Sequence, residues 1–224
     1  MIGATSYLYG NRTMIHELRQ YTLKPGKLAE YLEYARTIGR PARGNDYGVN
    51  HGYWTPEFGG LNQVWHIWSY ASLDERARLR GALGQNKAWT EEYIPRIRPL
   101  LERQDIRFMH PMKDITPPVA EGGVYEMRIY RTNVGDARPY AEAYLGIMPV
   151  REKYSRNVGL WIGESPQPNE VIHMWNYATP DARAKARGAL FQDQEWLDYL
   201  KRQAGKVVEM QSTLLIPTAY SSMK

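Results

Sequence analysis

The feature that most constrains this chain is an internal repeat. Ile15-His16-Glu17-Leu18-Arg19-Gln20-Tyr21 aligns with Val124-Tyr125-Glu126-Met127-Arg128-Ile129-Tyr130, so Glu, Arg and Tyr recur 109 positions on, and Gly26 falls on Gly135. Val64-Trp65-His66-Ile67-Trp68-Ser69-Tyr70-Ala71 aligns with Val171-Ile172-His173-Met174-Trp175-Asn176-Tyr177-Ala178 at an offset of 107, a two-residue deletion in an intervening loop. In that frame Gly52 and Trp54 fall on Gly159 and Trp161, Arg80-Gly81-Ala82-Leu83 on Arg187-Gly188-Ala189-Leu190, and Trp89 on Trp196. A chain of 224 residues with this many identities in register folds as two like units. Between residues 112 and 122, Lys113-Asp114-Ile115-Thr116-Pro117-Pro118 and Glu121-Gly122-Gly123 combine Pro, which blocks helix, with Gly, which frees the backbone. The units are therefore placed at 14–112 and 122–217.

Each unit reads as βαββαβ. Segment 15–22 alternates and is closed by Pro25-Gly26, as a strand requires. Leu28, Tyr31, Leu32, Ala35 and Ile38 follow helical spacing, and Ala137, Tyr140, Ala141, Tyr144 and Ile147 repeat it. Pro41 and Pro149 stand where these helices are expected to end. Strands are expected at 48–55 and at 63–71, the latter rich in aromatic and β-branched residues. Ser72-Leu73-Asp74-Glu75 has the form of a capping box, and Thr179-Pro180 offers a cap followed by Pro at the first helical position. Helical pattern continues past Trp89 and Trp196 with a break near Gly84, and the final strands cover about 103–109 and 207–215. Gly81 and Gly188 are expected to let helix and sheet approach closely.

That order gives an α+β fold: an antiparallel sheet with both helices on one face. The expected architecture is two tandem ferredoxin-like βαββαβ units whose sheets pair into a dimeric α+β barrel-type arrangement. Strand side chains alternate between faces. In one unit the two sets on the first strand are Glu17, Arg19, Tyr21 and His16, Leu18, Gln20; on the third they are His66, Trp68, Tyr70 and Trp65, Ile67, Ser69, Ala71. In the other, Glu126, Arg128, Tyr130 and His173, Trp175, Tyr177 stand against less polar partners. If the less polar sets meet the helices, the twelve shared residues line the space between the two sheets. Residues i and i+2 lie roughly 6–7 Å apart, so each Glu-Arg-Tyr forms a row. Such a row must be paired or hydrogen-bonded if it faces inward.

Composition removes several function classes. There are no cysteines, so disulfides, thiolate metal sites and cysteine nucleophiles are excluded. The five histidines lack HxxxH or HExxH spacing, so no metal or cofactor is expected. The net charge of +5 is scattered, as on a solvated surface, and gives no case for nucleic acid. No apolar run reaches the ~18 residues a membrane span needs. Residues 1–13 lack an apolar core and read as a disordered leader rather than a signal peptide. The expectation is a cytoplasmic protein with no membrane partner.

The motif Ile15-His16-Glu17-Leu18-Arg19-Gln20-Tyr21-Thr22-Leu23-Lys24-Pro25-Gly26 resembles the opening of NIPSNAP family units, members of the dimeric α+β barrel superfamily. Val64-Trp65-His66-Ile67-Trp68-Ser69-Tyr70, followed by Ser72 and Arg76, resembles the same family, and both copies carry the pattern across residues 14–217. The resemblance implies ferredoxin-like units around a shared barrel. It implies no settled reaction, since superfamily relatives include cofactor-free monooxygenases, lactone isomerases and haem enzymes. Arg131-Thr132-Asn133-Val134 departs from the family pattern by losing its Pro.

The functional expectation is a barrel pocket for a small aromatic or carbonyl- or carboxylate-bearing molecule. His66 and His173 are the candidates for moving a proton, Arg19 and Arg128 for holding negative charge, and Glu17, Tyr21, Trp68, Tyr70, Glu126, Tyr130, Trp175 and Tyr177 for the lining. A homo-oligomer, dimeric or higher, is expected. The alternative is a non-catalytic interaction module with a packed barrel, in which the same residues are structural. A more remote alternative is an RNA-binding sheet, because aromatics on the first and third strands also suit RNA, though the usual aromatic strand motif is absent.

Overall fold

Alternation makes Ile15–Leu23 a strand, β1, and Gly26 turns the chain with a positive φ of 77° into helix α1, Leu28–Tyr34. The computed structural model describes residues 14–118 and 122–224; the leader expected at 1–13 lies outside them, as does Glu121 of the linker. The first helix does not stop at Pro41. It widens into a π-helical turn, Ala35–Gly39, and continues as α2, Arg40–Arg43, with Pro41 in its first turn. In the second unit one helix runs through its proline. Proline removes only one donor, and a widened or locally bent turn absorbs that loss. The extra turn after each proline is what delivers Arg43 and Arg151.

The first unit continues with β2 (Val49–Phe58), β3 (Gln63–Tyr70) and α3 (Leu73–Leu83). A second π-helical turn, 88–93, leads into α4 (Ile94–Ile97) and β4 (Leu101–Pro111). The second unit repeats the order as β5 (Val124–Thr132), α5 (Ala137–Glu152), β6 (Arg156–Ser165), β7 (Glu170–Tyr177), α6 (Pro180–Leu190), α7 (Gln194–Arg202) and β8 (Val207–Pro217). Both helix caps form as the sequence indicates. Ser72 accepts from the Glu75 N–H at 3.0 Å while the Glu75 carboxylate reaches back to the Ala71 N–H, and Thr179 accepts from the Ala182 N–H.

The eight strands close into one antiparallel barrel in the order β1-β3-β2-β8-β5-β7-β6-β4. Two seams join the units: β2 with β8, where Trp54 faces Pro217, and β4 with β6, where Pro111 faces Trp161. Each unit's trailing segment then latches onto the other unit. The Thr116 N–H donates to the Val158 carbonyl, and the Thr218 N–H donates to the Tyr53 carbonyl.

The barrel interior is filled. Leu18, Trp54, Trp65, Ile67, Met109, Tyr125, Met127, Ile129, Trp161, Ile172, Met174 and Leu215 form one buried cluster drawn from both units. The two copies lock together crosswise within it. Trp161 donates to Nδ1 of His16 at 2.8 Å, while Tyr125, which aligns with His16, packs on Trp54. At the aligned β-bulges Gly52 and Gly159 the chain comes so close to these rings that a Cβ would sit 2.5 Å from Trp54 or 2.3 Å from Trp161.

The face assignment expected from the sequence is reversed. Glu17, Arg19, Tyr21, His66, Trp68 and Tyr70 do not point between the sheets, and nor do Glu126, Arg128, Tyr130, His173, Trp175 and Tyr177; they meet the helices. Tyr21, Trp68 and Tyr70 cluster with Tyr31 and Ala35 of the first helix and with Tyr93 and Ile97, and Tyr130, Trp175 and Tyr177 cluster with α5 and α7. A closed barrel interior has no water on any side and takes chains that need few partners. The helix layer has solvent at its edge and helices bearing arginine, so it takes the charged row.

Gly81 and Gly188 also differ from expectation. A Cβ at either would meet nothing within 4 Å, so neither allows a close approach. Gly81→Ala and Gly188→Ala are expected to stabilise the fold by up to ~1 kcal/mol each through helix propensity. Gly159→Ala is expected to destabilise it by driving a methyl group into Trp161. Chemical denaturation checks both, and loss of stability in the two helix variants would show that these glycines have a packing role.

Candidate functional site

Register builds the site before any side chain is considered. Arg19 pairs with His66 across β1–β3, His66 with Tyr53 across β3–β2, and Tyr21 with Gln104 across β1–β4, so these side chains share one face. Above that face, helical spacing puts Arg76 and Arg80 four residues apart on the same side of α3.

Glu17 is fully buried and is the electrostatic anchor. Arg19 reaches it at 2.5 Å, and Arg76 grips it with a fork at 2.8 and 3.1 Å. Burial alone would raise the Glu17 carboxyl pKa; the Arg76 fork and the nearby Arg19 and Arg43 charges override it and hold the group below its ordinary value. Burial likewise disfavours charge on Arg19, but Tyr21 and Glu17 more than compensate and raise it.

The histidine is set in one tautomer. Trp68 donates its indole N–H to Nδ1 of His66 at 2.6 Å. An indole N–H can only donate, so Nδ1 must accept, and the neutral ring carries its proton on Nε2. Burial, then the charges of Arg19, Arg43 and Arg80, push the His66 pKa well below its ordinary value. Its Nε2–H is buried and has no partner among the described residues. Tyr53 stacks on the ring at 4.8 Å and Tyr21 meets it edge-on at 4.9 Å. His66 is thus presented as a fixed hydrogen-bond donor rather than as a base.

Arg43, from the turn after Pro41, lies 3.2 Å from the centre of the Trp68 ring and donates to the Tyr70 hydroxyl at 2.8 Å. Arg19, Arg43, Arg80 and His66 converge on a cavity of about 110 Å³, walled also by Tyr21, Tyr31, Tyr53, Trp89 and Tyr93. Gln104 is exposed, and Arg80, Trp89 and Ile94 are half-buried, so the mouth lies on their side. Arg80 has no carboxylate partner among the described residues; burial, then Arg19 and Arg43, lowers its pKa.

The second unit repeats the set. Glu126 holds Arg128 at 2.7 Å, Arg183 at 2.6 Å and the Ser212 hydroxyl at 2.7 Å. Trp175 donates to Nδ1 of His173 at 2.6 Å, and Arg151 lies over Trp175 and donates to Tyr177. Arg187 takes the place of Arg80. One difference lies in the ring beside the histidine. Tyr144, which aligns with Ala35, lies over His173 at 4.9 Å, tilted by 33°, and is wedged against Tyr199 and Trp196, at 5.9 and 6.1 Å. In the first unit the stacking ring comes from β2 as Tyr53, whose counterpart is Leu160.

The NIPSNAP sequence pattern matches residues 16–115 and again 125–222. The chain belongs to the NIPSNAP family. It is similar to human Protein NipSnap homolog 3A, 30% identical over 216 residues that cover 94% of this chain and 86% of that protein. Among solved structures, its barrel resembles that of a Lactobacillus acidophilus protein described as a "putative monooxygenase", with TM-score 0.67 and 15% identity over 92% of this chain and 95% of that one. It also resembles an anthrone oxidase-like protein, with TM-score 0.65 and 10% identity over 95% of this chain and 94% of that one. At such identities the likeness is one of fold. No helix among the described residues of this NIPSNAP chain is long and apolar enough to cross a membrane.

All twelve residues singled out from the sequence lie in the two helix–sheet layers, six per unit. Of the first six, Arg19, Tyr21 and His66 line the cavity; Glu17, Trp68 and Tyr70 stand behind and orient Arg19, His66 and Arg43. Sequence reasoning missed Arg43, Arg76, Arg80, Tyr31, Tyr53 and Tyr93. Two signals could have found the arginines: Arg76/Arg80 recur as Arg183/Arg187, and a Pro-x-Arg recurs as Pro41-Ala42-Arg43 and Pro149-Val150-Arg151.

The ionisation pattern makes this NIPSNAP fold acid-sensitive. Burial pulls His16 down to about 3, with His51 adding to the effect, and His51 down to about 4; His66 and His173 also lie well below 6.5. Each binds its proton more readily when unfolded, so stability falls as pH drops below 6.5. Glu17 and Glu126 are depressed below 4.5, so their contribution is full above that value and is lost as pH falls through their folded values. Melting temperature is expected to decline from about pH 6.5 and more steeply below about 4.5. A flat melting temperature between pH 7 and 5 would contradict the histidine assignment.

Proposed function

We propose that the chain binds a small carbonyl- or carboxylate-bearing molecule in the helix–sheet cavity of its first unit. The observation that carries this reading is the convergence of three guanidiniums and a preset imidazole N–H on one cavity. The like charges of Arg19, Arg43 and Arg80 are held together there, with no matching carboxylate on Arg80 among the described residues. Such a cluster costs free energy unless an anion enters it. Arginine suits carboxylates because its planar fork matches two oxygens.

The chemistry this arrangement supports is stabilisation of negative charge on a substrate oxygen, as an enolate or carboxylate. His66 contributes its Nε2–H to that charge. Arg43 and Arg19 are held in place by Trp68, Tyr70 and Glu17. The aromatic walls exclude water and raise the strength of each charge–charge contact. We read each unit as ferredoxin-like and the whole as a dimeric α+β barrel drawn into one chain. The lining comes from one unit, so a homo-oligomer would not be needed to complete it.

A thermal-shift screen of small carboxylates and carbonyl compounds tests the reading. The expected result is a rise in melting temperature that Arg80→Gln abolishes while leaving the ligand-free melting temperature unchanged or higher. Trp68→Phe, which frees Nδ1 of His66, is expected to weaken binding by roughly ten-fold, the scale of one charge-assisted hydrogen bond. A ligand whose binding survives Arg80→Gln would place the site elsewhere.

A further inference from the structure

The class of molecule can be narrowed by three observations, all resting on the cavity reading above. The first is charge. Arg19, Arg43, Arg76 and Arg80 lie around one carboxylate, Glu17, and the other polar walls, His66, Gln104 and the phenols of Tyr21, Tyr31, Tyr53 and Tyr93, bring no negative charge. A ligand with one negative charge would leave much of this surplus uncompensated. One with two leaves a single excess cation beside the half-buried Arg76 and the mouth.

The second is size. The cavity of about 110 Å³ is smaller than the ~150 Å³ apolar cavity that accommodates benzene. A space of that size favours a chain of two to four carbons over a rigid ring bearing a carboxylate. The third is donor supply. Among the described residues, Arg19 Nε, Arg43 Nε and His66 Nε2 are all buried and unpartnered, and Arg80 brings a guanidinium with no carboxylate of its own. Carboxylates accept and never donate when ionised, with about four lone-pair sites each. A wall of unpartnered donors calls for such a molecule.

The second unit carries the same cations and the same preset histidine, but the ring over His173 comes from the helix as Tyr144, where the first unit has the small Ala35 on the helix and draws its ring, Tyr53, from the strand. We propose that the first unit's cavity is a site for one short aliphatic dicarboxylate per chain, gripped by Arg19, Arg43, Arg80 and the Nε2–H of His66, and that Tyr144 closes the corresponding place in the second unit.

Isothermal titration of the full chain with oxalate, malonate, succinate, benzoate and inorganic phosphate tests this. The expected result is binding of malonate or succinate at one per chain, with benzoate weaker by at least about ten-fold for want of a second charge and of space. Arg80→Gln is expected to weaken the dicarboxylate by roughly ten- to a hundred-fold, and Arg187→Gln to leave it unchanged. Neither arginine has a carboxylate partner among the described residues, so both variants are expected to fold, and their melting curves check that. Benzoate binding as tightly as malonate would overturn the size and charge assignment. Phosphate preferred over every dicarboxylate would overturn the carboxylate assignment. Two ligands per chain, or equal loss from Arg187→Gln, would overturn the assignment to one unit. If no dicarboxylate binds but the wider screen yields an Arg80-dependent ligand, this inference fails and the cavity reading stands; if neither yields a ligand, both fail.

Discussion

A carboxylate taken fully out of water must be held by cations, and the geometry of that hold organises the rest of this molecule. Glu17 and Glu126 have no exposed surface. Each is held from its own strand by Arg19 or Arg128 and from a helix by Arg76 or Arg183. The helix contact fixes α3 over β1 and α6 over β5. Once α3 is fixed, the next inward residue one turn on, Arg80 or Arg187, has nowhere to go but over the histidine. The histidine is itself pinned by a tryptophan two residues along its strand. Removing a glutamate would therefore leave two buried or half-buried cations unpaired, a loss of roughly 3 kcal/mol or more.

Much of the architecture was legible because the chain writes it twice. A single copy of a strand pattern competes with many others; two copies in register leave the βαββαβ order and the strand positions little freedom. The side chains that matter were legible for the same reason, since Glu17, Arg19, His66 and Trp68 each have a partner in the second unit. Their direction was not. Alternation sorts a strand into two sets, and inversion of the sheet leaves the two sets intact. What decided the matter was the chemistry of the helices, through Arg76, Arg80, Arg43 and their counterparts. Pro41 and Pro149 concealed Arg43 and Arg151, because a proline reads as a helix end while the chain continued through a π turn or a bend. His66 was legible as a site residue but not as a donor, since its tautomer depends on the indole N–H of Trp68.

Duplication also let the two halves diverge around the histidine. Both units cover their histidine with a tyrosine ring. In the first it comes from the strand at Tyr53, and in the second from the helix at Tyr144, with Leu160 on the strand. The cationic set is common, yet the space around it is not. Exchanging which element supplies a ring leaves the electrostatics of the row intact while changing the room beside it. A fold of this kind can thus keep a structural ion-pair network in both copies while the rings beside it change.

The crosswise seams have a consequence for how the chain is made. β4 finds its outer partner in β6, but β2 must wait for β8, whose residues end at Pro217, and Tyr53 waits for Thr218. The inner face of the first unit, with Leu18, Trp54, Trp65 and Ile67, is covered by residues of the second unit such as Tyr125, Trp161 and Leu215, and the barrel closes only once β8 has been made. Contacts that span so much sequence close slowly, and an apolar sheet face left open in the interval favours association with other chains. Vectorial synthesis thus leaves the first unit, which carries the cavity, waiting for the second to cover it.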